Sequence, residues 1–213
     1  MIFQLSKTIF VFQKIYMKIK LFLELIKLRL TLLVTFSAVF GFLLSSSQIN
    51  YFSLLILIVS GFFITGSSVI NNQIIEKDLD KLMKRTRKRP LPTNKLSSKN
   101  ALIISFILAI LGLSLMVIFL NNLTALLSFL SLLIYTFIYT PLKRVGSIAV
   151  FVGAIPGALP PLIGWAASSN TISLEAIIIF SIQFIWQFPH FWAIAWVSDD
   201  DYKKAGFKLL PNN

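Results

Sequence analysis

Of the 213 residues, 56% are hydrophobic and only 13% charged, about half the charged share of an ordinary soluble domain, and the apolar residues come in runs long enough to cross a hydrocarbon layer of about 30 Å. The solvent for most of this chain is lipid. The lack of cysteine excludes disulfides and thiolate metal sites, and a net charge of +12 placed beside apolar runs reads as a topology signal and anionic-lipid contact rather than as nucleic-acid binding.

Residues 1–28 mix Ile, Phe and Leu with Lys7, Lys14, Lys18, Lys20 and Lys27, so no uncharged stretch of about 18 residues exists to span a bilayer. This segment is predicted to be a basic leader lying on the membrane, and no small-residue cleavage site marks it as a secretory signal. Residues 29–213 are predicted to form one all-α transmembrane domain. Its six spans are Leu30–Leu44, Tyr51–Ile75, Ala101–Leu120, Leu123–Tyr139, Ile148–Ala167 and Ser173–Val197. Gly41, Gly61, Gly66, Gly112, Gly153, Gly157 and Gly164 fall inside these runs, where small residues let helices approach closely. Pro156, Pro160 and Pro161 in the fifth span and Pro189 in the sixth should free carbonyls that need partners within the bundle.

The connections fall into two classes. Those near Ser45–Asn50, Asn121–Asn122 and Ser168–Thr171 contain no Lys or Arg, whereas the leader with its junction carries six, the loop Glu76–Asn100 nine, the turn at Lys143 and Arg144 two, and the tail three. Six spans put all twenty on one side, which the positive-inside rule makes cytoplasmic. The carboxylates follow them: Glu76, Asp78 and Asp80 lie in the long loop, Asp199, Asp200 and Asp201 follow the sixth span, Glu24 sits in the leader, and only Glu175 lies opposite. Two acidic triplets at one membrane face repel themselves, which favours a bound cation.

Asn72, Glu76 and Asp80 are spaced four and four, so a helix continuing from the second span presents all three on one face, with Asp78 on the other. Oxygen donors of this kind suit Mg²⁺, which is usually held by one or two carboxylates together with substrate phosphates. The cationic run Lys84, Arg85, Arg87, Lys88, Arg89 is by itself a solvated topology patch. Beside the acidic residues it offers the second half of a diphosphate site, guanidinium donors facing a metal. Tyr139, Lys143 and Arg144 bring a phenol and two cations to the same face, and Asp199–Asp201 bring the second acidic group. His190, the one histidine, lies within the sixth span. Haem ligation, proton transfer and a plain interhelical hydrogen bond are all open to it.

With these residues in view, the sequence resembles the protoheme IX farnesyltransferases (haem O synthases), within the intramembrane aromatic prenyltransferases, from Leu25 to Pro211. The segment Asn72, Gln73, Glu76, Asp78, Asp80, Met83, Arg85, Thr86, Arg89, Pro90, Leu91, Pro92 is similar to the family's first Asp-rich motif almost position by position. Further likeness lies in Tyr139 with Lys143 and Arg144, in Pro160–Trp165, in Pro189–Trp192, and in Asp200, Asp201, Tyr202 with Ala205, Gly206, Leu210 and Pro211.

The resemblance implies transfer of a farnesyl group from farnesyl diphosphate to a vinyl carbon of haem B, with Mg²⁺-assisted loss of diphosphate. It implies Asn72, Glu76, Asp80, Asp200 and Asp201 as metal or metal-water ligands, Asp78 as a further catalytic residue, Arg85, Arg89, Lys143 and Arg144 with Tyr139 as diphosphate-side binders, and His190 as a haem contact. It also implies a bacterial inner membrane, a cytoplasmic active site, and partners in terminal-oxidase assembly or haem delivery. An aromatic quinone precursor is the alternative acceptor, and a non-enzymatic haem or lipid transporter the alternative class. Val145–Ile148 and Phe188 depart from the commoner family residues, which bears on acceptor fit. The family pattern has nine spans, so the resemblance further implies that the sequence, ending at Asn213, is truncated at its C-terminus.

Overall fold

Lipid offers no partner to an exposed peptide group, so spanning segments of this composition satisfy their backbones within helices. The computed structural model describes residues 17–211 and contains, among them, helices and turns without strands. Helix α1 covers residues 17–25. It is followed by α2 (Leu28–Ser45), α3 (Tyr51–Ile75), the short α4 (Lys77–Asp80), α5 (Ser98–Phe119), α6 (Asn122–Leu133), a π-helical segment (Ile134–Tyr139), α7 (Thr140–Leu142), α8 (Ile148–Ser169), α9 (Leu174–Val197) and α10 (Asp199–Ala205). Among the described residues six helices are long and apolar enough to cross a membrane, the fourth being the continuous Asn122–Leu142. Each overlaps one of the six expected spans.

Helix starts are set by side chains. Asn50, Ser97, Asn121 and Ser173 accept the N–H groups of Ser53, Asn100, Thr124 and Ala176, capping α3, α5, α6 and α9. Asn121 also donates to the Ala166 carbonyl at 2.8 Å, tying the α5–α6 turn to α8.

Helices α2, α3, α5, α6 and α8 close a ring in that order, and α9 packs against α8. Helix α8 is the most enclosed of them and α9 the least. Without a hydrophobic force between helices in lipid, such packing depends on close approach. Gly41 of α2 lies against the Pro161 backbone and Gly164 of α8 against the Ala38 carbonyl, so a Cβ at either position would overlap the opposing main chain. Gly112 leaves room for Ile64, Gly153 for the Tyr139 ring, and Gly157 for Gln187.

The prolines do not end α8, which runs unbroken from Ile148 to Ser169. Pro161 has no N–H to offer the carbonyl of Gly157, and Gln187 of α9 donates to that carbonyl at 3.3 Å. Ahead of Pro141 the fourth span widens into the π segment, where the backbone and side chain of Thr140 both bond to the Tyr135 carbonyl.

The leader was expected to lie on the membrane. Its residues 1–16, with Lys7 and Lys14, lie outside the described residues. The end of α1 is docked rather than superficial: Leu25 and Ile26 are 1% and 0% exposed and pack with Ile70, Leu91, Ala101 and Leu108.

Because the α2–α8 contact is backbone on backbone, Gly41→Ala and Gly164→Ala should each destabilise the bundle by about 1–3 kcal/mol. Gly61→Ala, with open space around it, should be nearly neutral. Denaturant titration in detergent micelles checks the ranking.

Candidate active site

The site is built where α3 stops. Asn72 and Glu76 sit one turn apart, and Glu76 (φ −91°, ψ 5°) breaks the helix between α3 and α4. The hydrogen bonds Glu76 N–H to Asn72 O and Asp80 N–H to Glu76 O carry the one-turn spacing across that break. Asn72, Glu76 and Asp80 are 2%, 5% and 0% exposed. Asp78 is set apart: its side chain points to solvent and pairs with Lys81 at 2.7 Å. The acidic group expected to act as a set is therefore two carboxylates and a carboxamide, with Asp78 directed elsewhere.

Each buried carboxylate meets a cation from a distant stretch. Lys143 Nζ lies 2.8 Å from Glu76 Oε1 and over the Tyr139 ring, 4.6 Å from its centroid. Arg89 Nη1 lies 3.0 and 2.8 Å from the two Asp80 oxygens. Burial is the main influence on Asp80 and pushes its pKa up, with Arg89 pulling against it. Burial works to lower the Lys143 ammonium, yet Glu76, with Tyr135 and Tyr202 nearby, outweighs it and holds the pKa above the ordinary value. Arg89, expected to face a phosphate, uses Nη1 on Asp80 and keeps its remaining N–H groups for another anion.

Asn72 is oriented by a relay. The Thr140 hydroxyl donates to the Tyr135 carbonyl at 2.8 Å, so its oxygen must accept, and Asn72 presents Nδ2 to it at 3.1 Å. That fixes Oδ1 on the other branch of the carboxamide. Neutral oxygen from Asn72 with carboxylate oxygen from Glu76 and Asp80 is a donor set that fits Mg²⁺. Among the described residues no three His, Cys, Asp or Glu side chains converge on one metal position.

The second acidic triplet is divided. Asp199 pairs with Lys203 at 2.6 Å, Asp201 accepts the backbone N–H groups of Lys84 and Arg85, and Asp200 is exposed. Arg85 also reaches the Tyr202 hydroxyl at 3.5 Å, and Lys208 N–H donates to the Lys143 carbonyl. Helix α10 thus lies on the same face as the basic loop and the Lys143 turn. Arg144 is exposed and lines a cleft with Glu76, Leu79 and Thr140.

A cavity of about 480 Å³ runs from Tyr139 down through the ring of helices to Leu57 and Ile163. On α9, Gln183, Gln187 and His190 follow at helical spacing and line it. His190 faces this open space rather than a buried partner.

Three contributors escaped the sequence reading. Lys27, grouped there with the leader, is a non-glycine residue in the left-handed conformation (φ 49°), held by Gln73 donating to Leu25 O and Thr31 to Ile26 O. Burial, then repulsion from Arg89 and Lys143, brings its pKa down to about 7. Gln187 and Thr140 act through a proline-freed carbonyl and a π turn, which their types alone do not announce.

The UbiA prenyltransferase family model matches residues 33–212. The chain belongs to the UbiA prenyltransferase family. This UbiA-family chain is 50% identical over 191 residues to a protoheme IX farnesyltransferase of Cytophaga hutchinsonii, covering 89% of this chain and 67% of the relative. It is 47% identical over 193 residues to the protein of the same name from Flavobacterium psychrophilum, covering 89% and 64%. The chain spans about two thirds of the length of these curated relatives. A solved digeranylgeranylglyceryl phosphate synthase shares the fold with a TM-score of 0.77 at 24% identity, over 91% of this chain and 68% of that one. A UbiA homologue of Archaeoglobus fulgidus bound to DMAPP and Mg²⁺ shares it at 0.71 and 20% identity, over 88% and 67%.

Removing one member of the enclosed Glu76–Lys143 pair strands the other, so Lys143→Met should cost about 3–5 kcal/mol, and Glu76→Gln/Lys143→Met less than the sum of the single changes; a double-mutant unfolding cycle measures both. With a lowered Lys27 pKa the folded chain binds fewer protons than the unfolded one from about pH 7 to 10.5, so this residue makes stability rise with pH across that window. Lys27→Met should flatten the rise in thermal melts without ligand.

Proposed function

We propose that this chain carries the diphosphate-handling machinery of a protoheme IX farnesyltransferase, moving a farnesyl group from farnesyl diphosphate to a vinyl group of haem B. One observation carries the reading: the Asn72, Glu76, Asp80 oxygens and the Lys143 and Arg89 cations stand together at the end of α3, and Tyr139, under Lys143, lines the mouth of a membrane-embedded cavity. The names of the relatives supply the acceptor. The charge asymmetry supports a cytoplasmic site at a bacterial inner membrane.

The chemistry follows from what these side chains can do. Asn72, Glu76 and Asp80 with Asp200 would hold Mg²⁺, which would supply positive charge against the leaving diphosphate. The free N–H groups of Arg89, together with Lys143, Arg85 and Lys27, stabilise the negative charge that grows on diphosphate as the allylic carbon–oxygen bond breaks. The diphosphate stays at the polar rim while the isoprenoid chain enters the cavity past Tyr139. The surrounding helices keep bulk water from the allylic cation until the vinyl carbon attacks it; the cation left on the adjacent vinyl carbon then takes up one water and loses a proton, giving a hydroxyl beside the new carbon–carbon bond. His190, which lines the cavity from α9, would contact the haem acceptor.

The chain in nanodiscs, given haem B, farnesyl diphosphate and Mg²⁺, should yield a more hydrophobic haem on reversed-phase chromatography. Asp80→Asn should lower the yield at least about 100-fold, the scale of losing a key electrostatic group. His190→Ala should weaken haem use while sparing retention of farnesyl diphosphate. Prenylation of an aromatic acid instead of haem would replace the acceptor, and unchanged behaviour of both Asp80→Asn and Asp200→Asn would favour a transporter.

A further inference from the structure

The basic loop between α4 and α5 consists largely of turns, and its cations repel one another. Something must hold it in register over the site. Arg89 ties one end of the loop to Asp80, and the contacts made by the second acidic triplet identify the holder of the other end. Asp201 Oδ1 accepts the Lys84 N–H at 3.0 Å and Oδ2 accepts the Arg85 N–H at 3.1 Å. Two consecutive main-chain donors thus converge on one carboxylate, each taking a separate oxygen. A carboxylate suits this place because an asparagine has a single acceptor oxygen and would turn its own amide donor toward the second N–H. The neighbours continue the same contact. Met83, just before the two donors, is buried with Ala205 and Phe207, the Tyr202 ring packs edge-on against Phe207, and the Tyr202 hydroxyl meets the Arg85 guanidinium.

We propose that Asp201 is a positioning residue, not a metal ligand: it latches the basic loop onto α10 and so holds Arg85 ready for the diphosphate. The inference rests on the proposed diphosphate chemistry and deepens it, dividing the triplet by task. Asp199 neutralises Lys203, Asp201 secures the loop, and Asp200, exposed, is the member left to face a metal. Ordering the loop before substrate arrives removes a conformational cost that binding would otherwise carry.

The test uses the full chain in nanodiscs. Without metal or diphosphate, hydrogen exchange at the Lys84 and Arg85 amides should quicken about tenfold in Asp201→Asn, the scale of losing one to two ordinary hydrogen bonds, and stay unchanged in Asp200→Asn. Asp201→Ser, which accepts one N–H without charge, should fall between wild type and Asp201→Asn, and it serves if the asparagine variant does not fold. With inorganic pyrophosphate as probe at saturating Mg²⁺, Asp201→Asn should weaken binding several-fold and leave the Mg²⁺ half-saturation point where it was. Asp200→Asn should move that point. Adding Asp201→Asn to Arg85→Ala should cause no further loss of pyrophosphate, because the latch acts through Arg85. Wild-type exchange rates in both Asp201 variants, or a shifted Mg²⁺ requirement in Asp201→Asn, would overturn the latch. Failure of the wild-type chain to bind pyrophosphate would instead strike the diphosphate reading and leave the exchange result standing.

Discussion

Two buried carboxylates, Glu76 and Asp80, impose the main constraint on this structure. An ionised carboxylate removed from water must be matched by charge and hydrogen bonds or it forces the fold apart. Lys143 arrives from the end of the fourth span and Arg89 from the loop beyond α4 to supply that match. The requirement therefore joins segments 67 and 9 residues away from their partners, and it stacks positive charge where a diphosphate would need it. Stability of the rim and preorganisation for an anion come from the same pairs.

Below the rim the problem reverses, because there polar groups are costly and backbone approach is the means of packing. Glycines at 41 and 164 bring α2 and α8 into main-chain contact. Prolines in α8 leave a carbonyl that Gln187 answers. That bond connects α9 to α8 one turn before His190, beside the contacts of Phe151 with Phe184 and Phe188. The π segment plays a similar part above it. By giving Thr140 a donor target in Tyr135 O, it leaves the Thr140 oxygen to orient Asn72.

Several expectations were readable from residue type and spacing. The one-turn spacing of Asn72, Glu76 and Asp80, the outward direction of Asp78 and, at Gly157, a partner for a proline-freed carbonyl follow from helical geometry and are seen in the structure. Others were not readable. The assignment of Arg89 to a phosphate alone missed that Asp80, fully enclosed, would claim one of its nitrogens. Three adjacent aspartates looked like one cation site, yet Lys203 and two backbone N–H groups divide them, and backbone donors leave no trace in composition. Lys27 looked like one more leader lysine because its left-handed turn is created by hydrogen bonds from Gln73 and Thr31, residues 46 and 4 positions away.

The six spanning helices among the described residues, their approximate positions and the grouping of charge in alternate connections were already written in the order of residues, since hydrophobic run length and helical periodicity are local properties that lipid enforces without regard to neighbours. Which cation meets which carboxylate, which aspartate remains free, and how Asn72 is turned depend on distances between segments far apart in the chain. Those distances come into being when the helices pack, because electrostatic and hydrogen-bond partners are chosen by geometry that a linear order does not contain.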